Sequence, residues 1–159
     1  MGSRESSLVL LADDNENDVL MFRRAARRAN FNPPLHVVSN GEETIAYLKG
    51  NGKYDDRAKY PLPGMVLLDL KMPRTNGFEV LQWVREQPAF DTMQVVVLTT
   101  SDEIRDINRA YELGANSFLT KPLHMDEFKE MMSAFHKYWI MHAQSAPKRG
   151  RMIDKPDAA

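Results

Sequence analysis

Short apolar runs alternate with amphipathic stretches along most of the chain. The apolar runs cover residues 8–12, 35–39, 65–68, 94–98 and 116–120. After each run, apolar residues recur at intervals of three and four, which is the spacing of a helix with one buried face. The run at 65–68 is apolar without a break, which suits a central strand covered on both sides in a parallel sheet.

Five strand–helix pairs in succession predict a doubly wound α/β fold with a five-stranded parallel sheet in the order 2-1-3-4-5. We assign this domain to residues 8–142 and expect a disordered segment at 1–7 and a flexible tail at 143–159, too short for an output domain. The connection at 51–64 exceeds the usual length of about 2–6 residues, and we interpret it as a tolerated surface insertion rather than a binding loop.

Local signals mark the ends of two helices. Asn15 is predicted to cap the first helix, and Ser101 or Asp102 the fourth. Gly114 is predicted to end the fourth helix in a left-handed conformation. The inward side of that helix is expected to carry Ile104, Ile107, Ala110 and Tyr111.

Composition narrows the classes of function. The chain has 159 residues and a net charge of −1, so its charge gives no reason to expect nucleic-acid binding. It has no cysteine, and no apolar stretch approaches the roughly 18 residues that a membrane span requires. Because no signal peptide opens the sequence, we expect a soluble cytoplasmic protein.

Polar residues with related chemistry follow four of the predicted strands. Asp13 and Asp14 follow the first strand, Asp69 the third, Thr99 the fourth and Lys121 the fifth. In a parallel sheet these ends share one edge, where three carboxylates would repel one another unless a cation lies among them. Carboxylate oxygens suit Mg²⁺, so we expect this edge to bind Mg²⁺ and to hold a phosphoryl group on Asp69.

These residues, together with segment 69–73 and Gly77, resemble the receiver domain of two-component response regulators, which has a flavodoxin-like (CheY-like) fold. The resemblance covers residues 8 to about 140. It implies a phosphoprotein of signal transduction that accepts a phosphoryl group from a sensor histidine kinase in a Mg²⁺-dependent reaction. Such a protein signals through a phosphorylation-dependent interaction surface. It removes its own phosphate but is not a dedicated enzyme.

The resemblance also implies a role for each site residue. Asp69 is the nucleophile and phosphoacceptor. Asp14 and Asp69 bind Mg²⁺ directly, together with the main-chain carbonyl of Lys71, whereas Asp13 acts through a water. Lys121 pairs with the phosphoryl group as a point charge.

Three residues are expected to carry the change of state away from the site. Thr99 donates its hydroxyl to the phosphoryl group and moves toward it, which leaves space for Phe118 to turn inward. Pro122 sets the backbone so that Lys121 points inward, in many receivers through a cis peptide bond.

The fifth helix, predicted to begin near Met125, carries more apolar surface than one core contact uses. Met125, Met132 and Trp139 share a heptad spacing, and Phe128 and Phe135 share another. Two interpretations remain open. The helix has a broad core face, or these residues form a homodimer surface with the fourth helix and the fifth strand.

The expected partner is a phytochrome kinase. Segments 57–63 and 106–118, with Tyr138-Trp139, resemble the single-domain regulators of bacterial and cyanobacterial phytochromes. The alternative is a stand-alone receiver that serves a non-phytochrome sensor kinase as a phosphorelay intermediate or phosphate sink. The arginines of the first helix are either a solvated face or the docking face for the kinase, and they are Arg23, Arg24, Arg27 and Arg28.

Two other classes fit the sequence less well. A flavin-binding protein of the flavodoxin type needs a hydroxyl-rich and glycine-rich phosphate loop after the first strand, but the acids at 13–16 would repel phosphate. A phosphatase with an aspartyl-phosphate intermediate would carry an Asp-x-Asp motif there, which Asp13-Asp14-Asn15 lacks.

Overall fold

A computed structural model describes residues 7–145, with the side chains of residues 7–138, as a single five-stranded sheet flanked by helices. The strands are β1 (Val9–Ala12), β2 (Leu35–Val38), β3 (Met65–Leu68), β4 (Gln94–Thr99) and β5 (Ser117–Thr120). The helices are α1 (Glu16–Arg28), α2 (Gly41–Lys49), α3 (Gly77–Glu86), α4 (Ile104–Glu112) and α5 (Met125–Ser145). All strand pairs are parallel and the order is β2-β1-β3-β4-β5, which confirms the predicted fold class.

The predicted terminal segments fall mostly outside the described residues. Of the segments at 1–7 and 143–159, the structure describes Ser7 and the last residues of α5, which continues to Ser145. Within the described part of the chain, no helix combines the length and the apolar character needed to cross a bilayer.

The side chains of each central strand alternate between two cores. Val66 and Leu68 of β3 point into a core formed with α2, α3 and α4. Met65 and Leu67 point into a second core formed with α1 and α5. Because both faces of the sheet are covered, β1 and β3 are buried at every position, as the unbroken apolar run predicted.

Helices α1 and α5 pack together across the second core through aromatic contacts. Phe22 meets Phe128 edge-on with ring centroids 6.3 Å apart, and Phe31 stacks on Phe135 at 6.4 Å. Met132 belongs to the same core and is 0 % exposed. The apolar excess of α5 is therefore a broad core face in this region.

The predicted dimer surface on α5 needs correction for this reason. Phe128, Met132 and Phe135 are buried against α1 and are not available to a second chain. Met125 is partly buried in the same core. The side chain of Trp139 lies outside the described residues, so its predicted role in a dimer is untested.

Helix α4 buries less than its sequence predicted. Ala110 is buried, but Ile104 is 75 % exposed and Tyr111 is 48 % exposed. The helix begins one residue later than expected, with Glu103 as its N-cap and no side-chain cap bond. Ser101 instead donates from its hydroxyl to Asp106, at 2.6 Å. The predicted cap by Ser101 or Asp102 is therefore wrong, whereas Asn15 caps α1 as predicted by accepting from the N–H of Asp18.

The connection at 51–64 is more than a surface insertion. Tyr54 is 2 % exposed and joins the core beside Tyr47. The guanidinium of Arg57 donates to the carbonyls of Tyr47 and Leu48 at 2.8 and 2.6 Å, which satisfies acceptors at the end of α2. The segment thus closes the side of the fold next to the edge strand β2.

Candidate functional site

The carboxyl edge of the sheet brings together all five polar residues that the sequence placed there. Asp13 and Asp14 follow β1, Asp69 follows β3, Thr99 ends β4 and Lys121 follows β5. Four of them are buried, and Asp14 is exposed at the rim. The site therefore draws on four of the five strands, and its charged atoms meet where the backbone leaves the sheet.

The ammonium of Lys121 is the centre of the site. Its Nζ lies 2.7 Å from Asp13 Oδ2, 2.8 Å from Asp18 Oδ2 and 2.8 Å from Asp69 Oδ2. The side chain is only 6 % exposed. Burial by itself would lower the pKa of Lys121, but the hydrogen bonds to the three carboxylates outweigh burial and raise that pKa above its ordinary value. Lys121 is therefore a fixed positive charge.

The carboxylate of Asp69 is held at both of its oxygens. Its Oδ1 accepts from the hydroxyl of Thr99 at 2.8 Å and from the N–H of Lys71 at 3.2 Å. Its Oδ2 accepts from the ammonium of Lys121 at 2.8 Å. Thr99 is 0 % exposed and Asp69 is 6 % exposed, so these bonds lie in a region with little water. A carboxylate fixed in this way presents its oxygens in one direction.

The acidic residues outnumber the positive charge that they share. Burial raises the pKa of Asp13 above its ordinary value, even though Lys121 and the N–H of Asn15 donate to it, and the charge of Asp69 adds to the increase. One ammonium is shared by three carboxylates, so the site carries an excess of negative charge. A further cation at this edge would relieve the excess of negative charge.

The donor set fits a divalent metal ion. Asp13, Asp14 and Asp69 each offer one carboxylate oxygen, and these oxygens all lie within 4.8 Å of one another. Hard oxygen donors suit Mg²⁺, Mn²⁺ or Ca²⁺ rather than Zn²⁺ or copper. These three residues could hold such an ion at the same edge as the Asp69 oxygens.

The backbone after Asp69 requires a glycine. A Cβ atom on Gly77 would collide with the carbonyl oxygen of Asp69. The helix that follows is fixed by a capping box, in which Asn76 and Glu79 each accept from the other's N–H. The two ends of the segment 69–77 are therefore in contact, and the N–H of Gly77 donates to the carbonyl of Leu70 at 3.0 Å.

Phe118 lies in β5 and Pro122 directly follows Lys121. One feature, the peptide bond before Pro122, differs from that of many receivers. The ring of Phe118 packs partly buried against the core, and its N–H donates to the hydroxyl of Tyr111 at 3.0 Å. Among the described residues there is no cis peptide bond, so the bond between Lys121 and Pro122 is trans and differs from the cis bond of many receivers. Lys121 nevertheless points into the site, because its N–H donates to the carbonyl of Thr99 at 2.7 Å.

Sequence reasoning missed one residue of the site. From the sequence, Asp18 is expected only to lie in the first turn of α1, where the helix dipole favours an acid. In the structure its carboxylate also reaches Lys121, which is 103 positions away in the chain. The sequence does contain one indication of this contact. Asp18 lies four residues after Asp14, which is about one helical turn, and α1 begins close to the site.

A family model describes the same region of the chain. The model of the response regulator receiver domain matches residues 9–133. The chain belongs to this family. As a receiver, its general function is to be phosphorylated by a kinase within a two-component system, and it therefore interacts with sensor histidine kinases.

The relatives of this receiver include two proteins that are named as regulators. It is 34 % identical over 136 residues to "Probable methanogenesis regulatory protein FilR2" of Methanothrix harundinacea, covering 84 % of this chain and 83 % of that one. It is 29 % identical over 138 residues to "Response regulator Rcp1" of Synechocystis sp., covering 87 % of this chain and 92 % of Rcp1.

Three crystal structures show the same fold. Response regulator RPA3017, in red light signalling of R. palustris, has a TM-score of 0.81 and 34 % identity, covering 89 % of this receiver and 98 % of that chain. The phosphorylated cyanobacterial phytochrome response regulator RcpA has a TM-score of 0.77 and 27 % identity, with 90 % and 97 % covered. The Mn²⁺-bound form of Rcp1 has a TM-score of 0.75 and 27 % identity, with 89 % and 97 % covered.

Proposed function

We propose that this receiver accepts a phosphoryl group on Asp69 from a phosphohistidine of a sensor kinase. The observation that carries the proposal is the pair of bonds at the Asp69 carboxylate, from Thr99 to one oxygen and from Lys121 to the other, both 2.8 Å long. An Asp69 oxygen attacks phosphorus, an O–P bond forms, and the P–N bond to the imidazole breaks. The hydroxyl of Thr99 and the ammonium of Lys121 then lie within reach of the transferred oxygens.

We propose Mg²⁺ as the cation of the site. Asp13, Asp14 and Asp69 offer suitable oxygens within 4.8 Å of one another, and the relative Rcp1 has a Mn²⁺-bound structure. Asp14, Asp69 and the carbonyl of Lys71 are the proposed direct ligands, and Asp13 acts through a water. When bound, Mg²⁺ neutralises charge on the phosphoryl oxygens.

The proposed partner is a phytochrome kinase. The likeness to RcpA and to RPA3017, which are a phytochrome regulator and a red-light signalling regulator, supports this choice. The second candidate is a non-phytochrome sensor kinase, for which the receiver acts as phosphorelay intermediate or phosphate sink. The similarity to FilR2, named as a methanogenesis regulatory protein, favours that alternative.

The start of α1 and the loop after β5 form the proposed docking surface for the kinase. Leu20 is 51 % exposed and Leu123 is 84 % exposed, so both side chains are accessible to a partner. The bond between Asp18 and Lys121 joins the two segments, so both leucines flank the site. The arginines of α1 at positions 23 and 24 are exposed on the same helix.

The output is proposed to be a phosphorylation-dependent interaction surface, with a homodimer as one form of it. Phe128, Met132 and Phe135 of α5 are buried in the core, so the proposed surface consists of α4 and the edge strand β5. Ile104 and Tyr111 of α4 are its exposed apolar residues. The proposed protein removes its own phosphate without being a dedicated enzyme, and its proposed location is the cytoplasm.

The decisive experiment is phosphotransfer from radiolabelled sensor kinases, with phytochromes first and other histidine kinases in the same panel. Wild type should be labelled in Mg²⁺, and excess chelator should stop the transfer. Asp69→Asn keeps the size of the side chain but removes the nucleophile, so labelling should disappear. The matched control is Asp102→Asn, the same change at an exposed aspartate after β4, which should be labelled like wild type.

Labelling of Asp69→Asn at the wild-type level would place the acceptor elsewhere. Full transfer in excess chelator would remove Mg²⁺ from the proposal. Transfer from other kinases but not from phytochromes would select the second candidate partner.

A further inference from the structure

Asp18 is the one carboxylate that contacts Lys121 without belonging to the group that could hold a metal ion. Its Oδ2 lies 2.8 Å from Nζ of Lys121, and its side chain is 31 % exposed. Among the described residues, the acids close enough to share a metal ion are Asp13, Asp14 and Asp69. Asp18 therefore acts on the site through the lysine alone.

The ammonium of Lys121 has no donor left for a new ligand. An ammonium carries three N–H groups, and Asp13, Asp18 and Asp69 each lie within 2.8 Å of the nitrogen. A phosphoryl group on Asp69 needs at least one of these donors. Phosphorylation converts Asp69 from a carboxylate into an acyl phosphate, so the donor that Asp69 used can pass to the phosphoryl group. The phosphoryl group then shares the ammonium with Asp13 and Asp18.

The three carboxylates differ in whether a second cation can replace Lys121 as their partner. Asp13 and Asp69 have a second positive partner available, because both belong to the group that could bind a divalent ion. Asp18 has none, so its carboxylate keeps its attraction for Lys121 when the metal is present. Phosphorylation replaces the single negative charge of the Asp69 carboxylate by a phosphoryl group of roughly −1.5 to −2 charges. Asp18 is then a nearby like charge that shares its counter-ion.

A purely structural role for Asp18 makes a different prediction. An acid in the first turn stabilises α1 through the helix dipole, and Glu16 has the same property one half-turn earlier. Glu16 is exposed, and it takes part in none of the ion pairs found in the part of the chain that the structure describes. Neutralising Glu16 thus reproduces the helix effect without touching Lys121.

We infer, on the basis of the proposed function, that Asp18 is a positioning residue which holds the Lys121 ammonium on α1 and competes with the phosphoryl group for it. Asp18 then limits how tightly the site retains a phosphoryl group. It also links occupancy of the site to α1, because Asp18 and the phosphoryl group then share one ammonium.

The test compares wild type, Asp18→Asn, Asp18→Glu and Glu16→Gln in the full chain. Beryllofluoride, an anionic mimic of the phosphoryl group, is titrated in saturating Mg²⁺, and Mg²⁺ is titrated alone. Asn keeps a hydrogen-bond acceptor for Lys121 but removes the charge. Asp18→Asn should bind beryllofluoride more tightly by about three- to tenfold, the size of one partly exposed charge interaction, with Mg²⁺ affinity unchanged or weaker.

Tighter binding of beryllofluoride without tighter binding of Mg²⁺ is the signature of competition for the lysine. A site that is merely loosened would bind both ligands more weakly, and that result overturns the inference. Asp18→Glu should stay near wild type because the charge is restored, and Glu16→Gln should match wild type within about twofold because it changes only the helix dipole. Equal tightening in Glu16→Gln would also overturn the inference.

The outcome separates this inference from the proposed function. If wild type binds beryllofluoride in Mg²⁺ and Asp18→Asn binds it equally or less tightly, the role of Asp18 is wrong and the role of Asp69 stands. If wild type does not bind beryllofluoride at all, the proposed function is wrong and the inference falls with it.

Discussion

The hydroxyl of Tyr111, on α4, accepts a hydrogen bond of 3.0 Å from the backbone N–H of Phe118 in β5. β5 is an edge strand that pairs only with β4, so this phenol covers a donor that the sheet leaves unpaired. The bond also joins α4 directly to the strand that carries the proposed switch residue. Phe118 has no hydroxyl of its own, and a neighbouring tyrosine supplies one to its backbone.

Tyr111→Phe should loosen this contact without disturbing the core. The free energy of unfolding should fall by about 0.5–1.5 kcal/mol, because one hydrogen bond is lost at a half-exposed position. The amide of Phe118 should exchange with solvent faster, while amides of β3 keep their protection. We would measure urea unfolding and residue-resolved hydrogen exchange. Unchanged exchange at Phe118 would show that the hydroxyl does not protect the edge.

Lys121→Met should expose the charge imbalance of the site. Removal of the ammonium leaves Asp13 and Asp69 buried without their shared partner, which should cost about 3–5 kcal/mol of stability without divalent ions. Mg²⁺ should recover part of this loss, since it binds the folded state selectively. Thermal unfolding with and without Mg²⁺ checks both statements. Lys129→Met, on the exposed side of α5, is the control and should change neither result.

Arg57→Lys should show that the 51–64 connection stabilises the fold. Lysine keeps the charge but cannot donate to the carbonyls of Tyr47 and Leu48 at once, so unfolding should be easier by about 1–3 kcal/mol. Phosphorylation should be unaffected because the segment lies away from the site. Arg74→Lys alters an exposed ion pair with Glu42 and should change stability by less than about 1 kcal/mol. If the two variants are equally stable, the 51–64 connection does not stabilise the fold and is a tolerated surface insertion.

His36 should make the protein less stable as the solution is acidified. Its ring lies among Tyr47, Tyr54 and Tyr60, and burial lowers its pKa from the ordinary value of 6.5. The unfolded chain therefore binds a proton more readily than the folded protein does. Stability is fully present above pH 6.5 and is lost as the pH falls through the lowered value.

His36→Phe keeps a ring in the cluster but cannot titrate. Urea unfolding at pH 7.5 and at a pH below 6.5 should show a smaller acid loss in the variant than in wild type. Other groups titrate in both proteins, so the difference between the two losses isolates His36. The same acid loss in both proteins would exclude His36 as the cause.

The sheet and the site were predictable because both depend on strands. An apolar run such as 65–68 has few folded alternatives, and the carboxyl ends of parallel strands must share one edge. Asp13, Asp69 and Lys121 therefore meet where the sequence placed them. Their meeting follows from chain direction and needs no knowledge of side-chain packing.

The contacts that the sequence did not reveal depend on packing between distant segments. Helical spacing marks which side of α4 is apolar, but whether Ile104 is covered depends on what lies above it. The same spacing on α5 is compatible with a core face and with a dimer face. The contacts of Phe22 and Phe31 with α5 decide for the core, and they depend on tertiary packing. Tyr54 lies in a polar stretch with no periodicity, so nothing local indicated its burial.

The bond between Asp18 and Lys121 also bears on when the site is completed during folding. A domain generally folds as one unit. The two residues are 103 positions apart, so the acids and Thr99 are all encoded before the ammonium that they share. The charge balance of the site is therefore complete only when β5 has joined the sheet and brought Lys121 to its edge.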